Sequence, residues 1–106
     1  MALTESDSRI VEVRDLDGEA TARLDHPSAV YNLAWHPDGL LLATASADYN
    51  AYVWNVERAV QRAVMRGHEA EVVGVRFTHA GDVLASWSWD GTTRFWSAAR
   101  GTPLVR

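Results

Sequence analysis

The chain has no cysteine among its 106 residues, so neither a disulfide framework nor a thiolate metal site can hold it together. Only three prolines and seven glycines interrupt it. No apolar run approaches the roughly 18 residues of a spanning helix, and no membrane partner is expected. The opening MALTESDSR lacks a basic stretch followed by an apolar one, so no signal peptide is visible and a cytoplasmic location is expected. Positive charge is scarce. Lys and Arg number 10 against 14 Asp and Glu, for a net charge of −4. That balance argues against a broad phosphate-binding surface and hence against a nucleic-acid partner. A glycine-rich phosphate loop and a HExxH motif are also missing, and no cofactor and no metal are expected.

Tryptophan, by contrast, is abundant. The five stand at 35, 54, 87, 89 and 96, in a chain that is 47% hydrophobic. Such a composition is too apolar for a disordered tail. Two of the five expose an internal repeat with an offset of 42 residues. His26, Val30, Gly39, Leu42, Ala43, Ser46, Asp48 and Trp54 recur, without a gap, as His68, Val72, Gly81, Leu84, Ala85, Ser88, Asp90 and Trp96. Thr44 against Ser86 and Trp35 against Phe77 are close substitutions. A period between 20 and 50 residues is the mark of a modular architecture.

Within each unit the pattern is that of strands. YNLAW (31–35) and VGVRF (73–77) alternate with period two, and each runs into a turn, HPDG or THAG. Strands are predicted at 30–35, 40–45, 51–54, 60–65, 72–77, 82–87 and 92–96, with shorter ones at 10–14 and 20–24 and the start of another over 102–106. Four short strands per unit make one antiparallel sheet. A two-layer sandwich is the competing fold, but it does not require a fixed 42-residue register.

These residues resemble WD40 repeats of a β-propeller, about two and a half of them and of bacterial type. Gly67-His68, Ser86, Asp90 and Trp96-Ser97 follow the family pattern in one unit. Asp25-His26, Thr44, Asp48 and Trp54-Asn55 follow it in the other. Asp25 stands for a glycine, and Asn55 and Ser97 for the aspartate of the Trp-Asp pair. Arg14 takes the tryptophan's place in the partial copy. The resemblance implies an all-β fold: a partial or oligomer-completed propeller of four-stranded antiparallel blades. Its divisions are a partial blade at 10–24, one repeat at 25–66, and a second at 67–106 that ends in the start of an outer strand. It also implies a hydrogen-bonded network inside each blade, formed by His26, Thr44, Asp48 and Trp54, and by His68, Ser86, Asp90 and Trp96. The chemistry supports this, since a buried indole N–H needs an acceptor, a hydroxyl can relay to imidazole, and a carboxylate can fix the other ring nitrogen.

Ser86, His68 and Asp90 also look like a hydrolytic triad, but a triad occurs once and needs an exposed serine. Here the set occurs twice, with Ser86 in mid-strand. His36 and His79 sit in turns without carboxylates at ligand spacing. Trp35, matched by Phe77, reads as sheet-face packing, and Trp87 as cover for a neighbouring blade. Trp89 and the weaker candidate Tyr49 flank the turn aspartates, on the rim where the resemblance implies partner contact. The expected function is a non-catalytic protein-interaction scaffold, with self-assembly as an added property. The alternatives are a propeller hydrolase or lyase using central-channel residues, and a purely structural assembly unit. The expected partners are a protein or peptide, and either further copies of the chain or the remaining blades of a longer one.

Overall fold

The computed structural model describes residues 3–7, 9–14, 20–37, 39–78, 81–98, 102 and 104. Its ten strands are β1 (Leu3–Asp7), β2 (Ile10–Arg14), β3 (Ala20–Asp25), β4 (Val30–Trp35), β5 (Leu41–Ser46), β6 (Ala51–Asn55), β7 (Val60–Met65), β8 (Val72–Phe77), β9 (Val83–Ser88) and β10 (Thr93–Ser97). No helix occurs among the described residues. Within each sheet a strand pairs with the next one in the chain, giving three antiparallel meanders: β1-β2-β3, β4-β5-β6-β7 and β8-β9-β10. Short connections leave the chain little choice but to pair neighbours this way.

Two particulars differ from the sequence-based expectation. β1 was not foreseen, because LTESD carries a single large apolar residue and shows no alternation. The sheets are also not uniformly four-stranded. Among the described residues only the middle one has four strands, and the sheets do not close a ring. The predicted start at 102–106 falls partly outside the described residues. Within them, the backbone already pairs with β10: Ser97 N–H donates to Thr102 O at 2.8 Å and Leu104 N–H to Phe95 O at 2.9 Å.

Alternation along the strands sorts the side chains into two cores. Val11, Val13, Ala22 and Leu24 of the first sheet meet Val30, Leu42, Tyr52 and Trp54 of the middle sheet. The opposite face of the middle sheet is nearly all small, with Ala43, Ala45, Ala51 and Val53 fully buried. It receives the bulky face of the third sheet, including Val75, Phe77, Leu84 and Trp96. Small residues facing large ones let the layers interdigitate at crystal-like density. Trp35 is half-buried against the first of these cores and Phe77 is buried in the second.

The third sheet repeats the middle one only in part. The 42-residue counterparts of Ala45 and Val53 are Trp87 and Phe95, which lie on its far face and are 38% and 42% exposed. Trp87 lies over Gly74, its cross-strand partner, where an added Cβ would sit 1.9 Å from the indole. The glycine therefore creates the bed for the tryptophan. Both repeat sheets carry a β-bulge at the same place, between Val30 and Asn32 and between Val72 and Gly74. Tyr31 and Val73 are the extra residues.

The seam between the middle and third sheets has no room for a large side chain at Ala45. Ala45→Trp should destabilise the chain by about 1–3 kcal/mol or more, the range for overpacking a close-packed core. Trp87→Ala, on the far face, should cost less. Urea denaturation of the two variants side by side checks the ordering.

Candidate functional site

In the third sheet the four residues singled out by the repeat form one continuous chain. Trp96 on β10 is fully buried, and its indole N–H donates to Ser86 Oγ on β9 at 2.8 Å. The Ser86 oxygen lies 2.7 Å from His68 Nε2. His68 Nδ1 lies 3.1 Å from Asp90 Oδ2. A carboxylate accepts only, so the imidazole proton sits on Nδ1 and Nε2 receives the Ser86 hydroxyl. The Asp90 carboxyl is held below the usual carboxylate range, mainly by the Thr92 hydroxyl and then by the Glu69 N–H at 2.9 Å. The chain thus ties β10 to β9, to the β7–β8 connection and to the β9–β10 turn.

The middle sheet departs from this at one member. His26 Nε2 lies 2.8 Å from Thr44 Oγ1, and the Trp54 N–H is shared between His26 Nε2 at 3.2 Å and Thr44 Oγ1 at 3.3 Å. Asp48 is not bonded to His26. It accepts from the Tyr52 hydroxyl and from the Asn50 N–H at 3.0 Å. His26 Nδ1 turns instead to the carbonyls of Leu24 and Arg9, each at 3.2 Å. The cause is local. Tyr52 stands four residues beyond Asp48, where the other repeat has Arg94, and a phenol there can reach the carboxylate. Carbonyls accept only, so His26 also carries its proton on Nδ1. Burial holds its pKa below the ordinary histidine value, which keeps the ring neutral and Nε2 an acceptor.

The triad-like set has no catalytic geometry. Ser86 is fully buried, its oxygen is occupied by the Trp96 N–H, and no substrate can reach it. Among the described residues no group of three or more His, Asp or Glu side chains is arranged to hold a metal. His36 ties the middle and third sheets at the end away from Asp90, with Nε2 2.8 Å from Gly81 O and the ring edge-on to Phe77 at 5.0 Å. His79 lies outside the described residues.

At the Asp90 end the picture is aromatic. Trp89 is 65% exposed and pairs with Tyr31 across the seam, ring centroids 5.6 Å apart and planes at 41°. Tyr49 is also exposed and has φ +79°, a left-handed conformation; its counterpart Gly91 has φ +87°. Sequence reading missed Tyr31, because only the bulge turns it outward. It missed Tyr52 because its counterpart is an arginine. The paired serines Ser46 and Ser88 were visible as identities but had no assigned role. Each accepts from the N–H of the turn aspartate two residues on, at 3.3 Å for Asp48 and 3.0 Å for Asp90.

Meander sheets packed face to face, with an indole–hydroxyl–imidazole chain in each repeat, define a β-propeller segment. The chain belongs to the WD40 family: the profile of the WD domain, G-beta repeat, matches residues 18–55 and 59–97. It is 30% identical over 106 residues to a Poly(A)+ RNA export protein of Schizosaccharomyces pombe, covering 95% of this chain and 30% of that protein. It is 34% identical over 74 residues to a periodic tryptophan protein 2 homolog of the same organism, covering 69% of this chain and 9% of that one. Against WD repeat and HMG-box DNA-binding protein 1 of Xenopus laevis it is 34% identical over 87 residues, 81% of this chain and 8% of the other. The chain spans at most 30% of the length of these three curated relatives.

Replacing His68 by alanine leaves the Ser86 hydroxyl and the Asp90 carboxylate without their shared partner. The expected loss is about 1–3 kcal/mol, the cost of stranding buried polar groups. Equilibrium denaturation reads it, and an unchanged midpoint and slope would contradict the role given to the network.

Proposed function

We propose that the chain is a protein-interaction scaffold that binds its partner through the end carrying Trp89 and Tyr49. The supporting observation is Trp89 itself. It is 65% exposed, more than any other large hydrophobic side chain among the described residues. Its backbone is nevertheless pinned, since its N–H donates to Glu71 O at 3.1 Å. Rigid, exposed aromatics make good interface anchors because little entropy is lost when they are covered. The family generally works by protein–protein contact, and the buried Ser86 favours this reading over a hydrolytic one. Trp89→Ala should weaken capture of the cellular partner while leaving thermal unfolding nearly unchanged. A large loss of stability with capture retained would make Trp89 a packing residue instead.

Completion of a ring belongs to the same proposal. The far face of the third sheet presents Trp87 and Phe95 to solvent at the positions where the middle sheet is fully covered. The first sheet presents to solvent the exposed Arg23–Asp25 pair, 3.5 Å apart. Water tolerates that charged surface, whereas the aromatic one is stabilised by a further blade, contributed by a longer chain or by another copy. Sedimentation equilibrium on the isolated chain over a wide dilution range should therefore show self-association. A monodisperse 11.7 kDa species that unfolds cooperatively would defeat the proposal.

A further inference from the structure

Among the described residues one buried side-chain nitrogen or oxygen lacks a hydrogen-bond partner: Nε of Arg94. Such an orphan is rare enough in a native interior to call for a reason. Arg94 is the second residue of β10 and shares with Trp96 the face turned to the middle sheet. It is half-buried, whereas every other arginine whose burial is described is exposed. Its guanidinium makes no hydrogen bond and no ion pair among the described residues. Nη1 and Nη2 are equally unpartnered but are not buried, so the fork opens to solvent beside the β9–β10 turn.

Comparison of the repeats shows why the group is bare. At the corresponding positions the middle repeat has Tyr52, whose hydroxyl finds its acceptor in Asp48, and the carboxylate-bearing Asp25. In the other repeat Asp90 is already engaged by His68, Thr92 and the Glu69 N–H, and position 67 is glycine. A Cβ on Gly67 would sit 3.5 Å from Arg94 Nη1 and 3.3 Å from the Trp96 ring. A side chain there would roof the guanidinium, and its absence leaves that side uncovered.

Contact, rather than a field, selects the occupant. Across this end Asp25 is paired with Arg23, and Glu69 and Glu71 stand against Arg9 and Arg66, so neither sign prevails. A nucleic acid would need a spread of positive charge that is not there. A half-buried guanidinium is costly until an anion meets it, and its planar fork of donors matches the two oxygens of a carboxylate. We infer that Arg94 is a binding site for the carboxylate of an Asp or Glu side chain on the partner protein, seated beside Gly67. This rests on the scaffold reading and adds one charged contact to it.

The test measures binding to the purified chain of three peptides of equal length carrying an uncharged fluorophore: Glu–Ser/Gly, Gln–Ser/Gly and phosphoserine–Ser/Gly. The Glu peptide should bind about ten-fold or more tightly than the Gln peptide, as expected for a charge-assisted hydrogen bond. Arg94→Met, which keeps the unbranched stem and removes the fork, should abolish that difference, and Arg94→Lys should retain part of it. Urea denaturation supplies the readout that separates binding from support of the fold. Arg94→Met should unfold at the same midpoint or a higher one, because an unpaired charge leaves the seam. A lower midpoint would make Arg94 a support of the fold and overturn the inference. So would equal binding of the Glu and Gln peptides, binding of neither, preference for the phosphoserine peptide, or a Glu preference that survives in Arg94→Met. If the site fails in any of these ways while cellular capture still depends on Trp89, the scaffold reading stands. If capture ignores Trp89 while the Glu preference depends on Arg94, the site stands and the role given to Trp89 falls.

Discussion

The destination of one buried N–H organises the repeat. The Trp96 indole lies wholly inside the seam, where an unpaired donor would cost about 1–3 kcal/mol. Its acceptor, Ser86 Oγ, must then come from the neighbouring strand, and the Ser86 proton must go to an imidazole brought in by the β7–β8 connection. That imidazole needs an acceptor for its second nitrogen, which Asp90 supplies from the β9–β10 turn. One polar chain therefore fixes a strand pair, a connection and a turn at once. Trp89, immediately before Asp90, is displayed on backbone that this chain immobilises. Stability in the interior and presentation at the rim have the same origin.

The middle sheet reaches the same end by a different route. It keeps the indole, hydroxyl and imidazole but replaces the carboxylate by the carbonyls of Leu24 and Arg9. Asp48 is released from the histidine and instead receives the Tyr52 phenol. Burial, and then Asp48, raise the Tyr52 pKa, so the phenol remains protonated and continues to donate. The Trp54 indole, the His26 imidazole and the Tyr52 phenol each find a partner, so the exchange strands none of the three. Tyr49 marks the same divergence: the turn is preserved while a side chain occupies a backbone conformation that costs about 1 kcal/mol more than with glycine.

Packing diverges as well. The alanine-rich face of the middle sheet and the bulky near face of the third fit because their sizes are opposed. The far face of the third sheet, with Trp87 bedded on Gly74 and Phe95 beside Ala85, has a different relief. Its shape differs from that of the covered face of the middle sheet, so the two repeats are not interchangeable copies.

The sequence by itself determined the all-β class, the 42-residue period, nine of the ten strands among the described residues to within one or two residues, and the identity of the buried histidine, hydroxyl and tryptophan in each repeat. These follow from alternation and from spacing, which are local or periodic properties of a chain. Only the tertiary structure decided which acceptor each histidine takes, because Asp48 had two possible donors and the outcome depended on the reach of Tyr52. The same holds for Tyr31, whose exposure comes from a bulge that period-two alternation does not reveal, and whose partner Trp89 lies 58 residues further along the chain, on another sheet. β1 became a strand because β2 offered it an edge to pair with, although its own residues show little preference. Competition between partners and pairing across sheets are decided in three dimensions, and no single segment carries them.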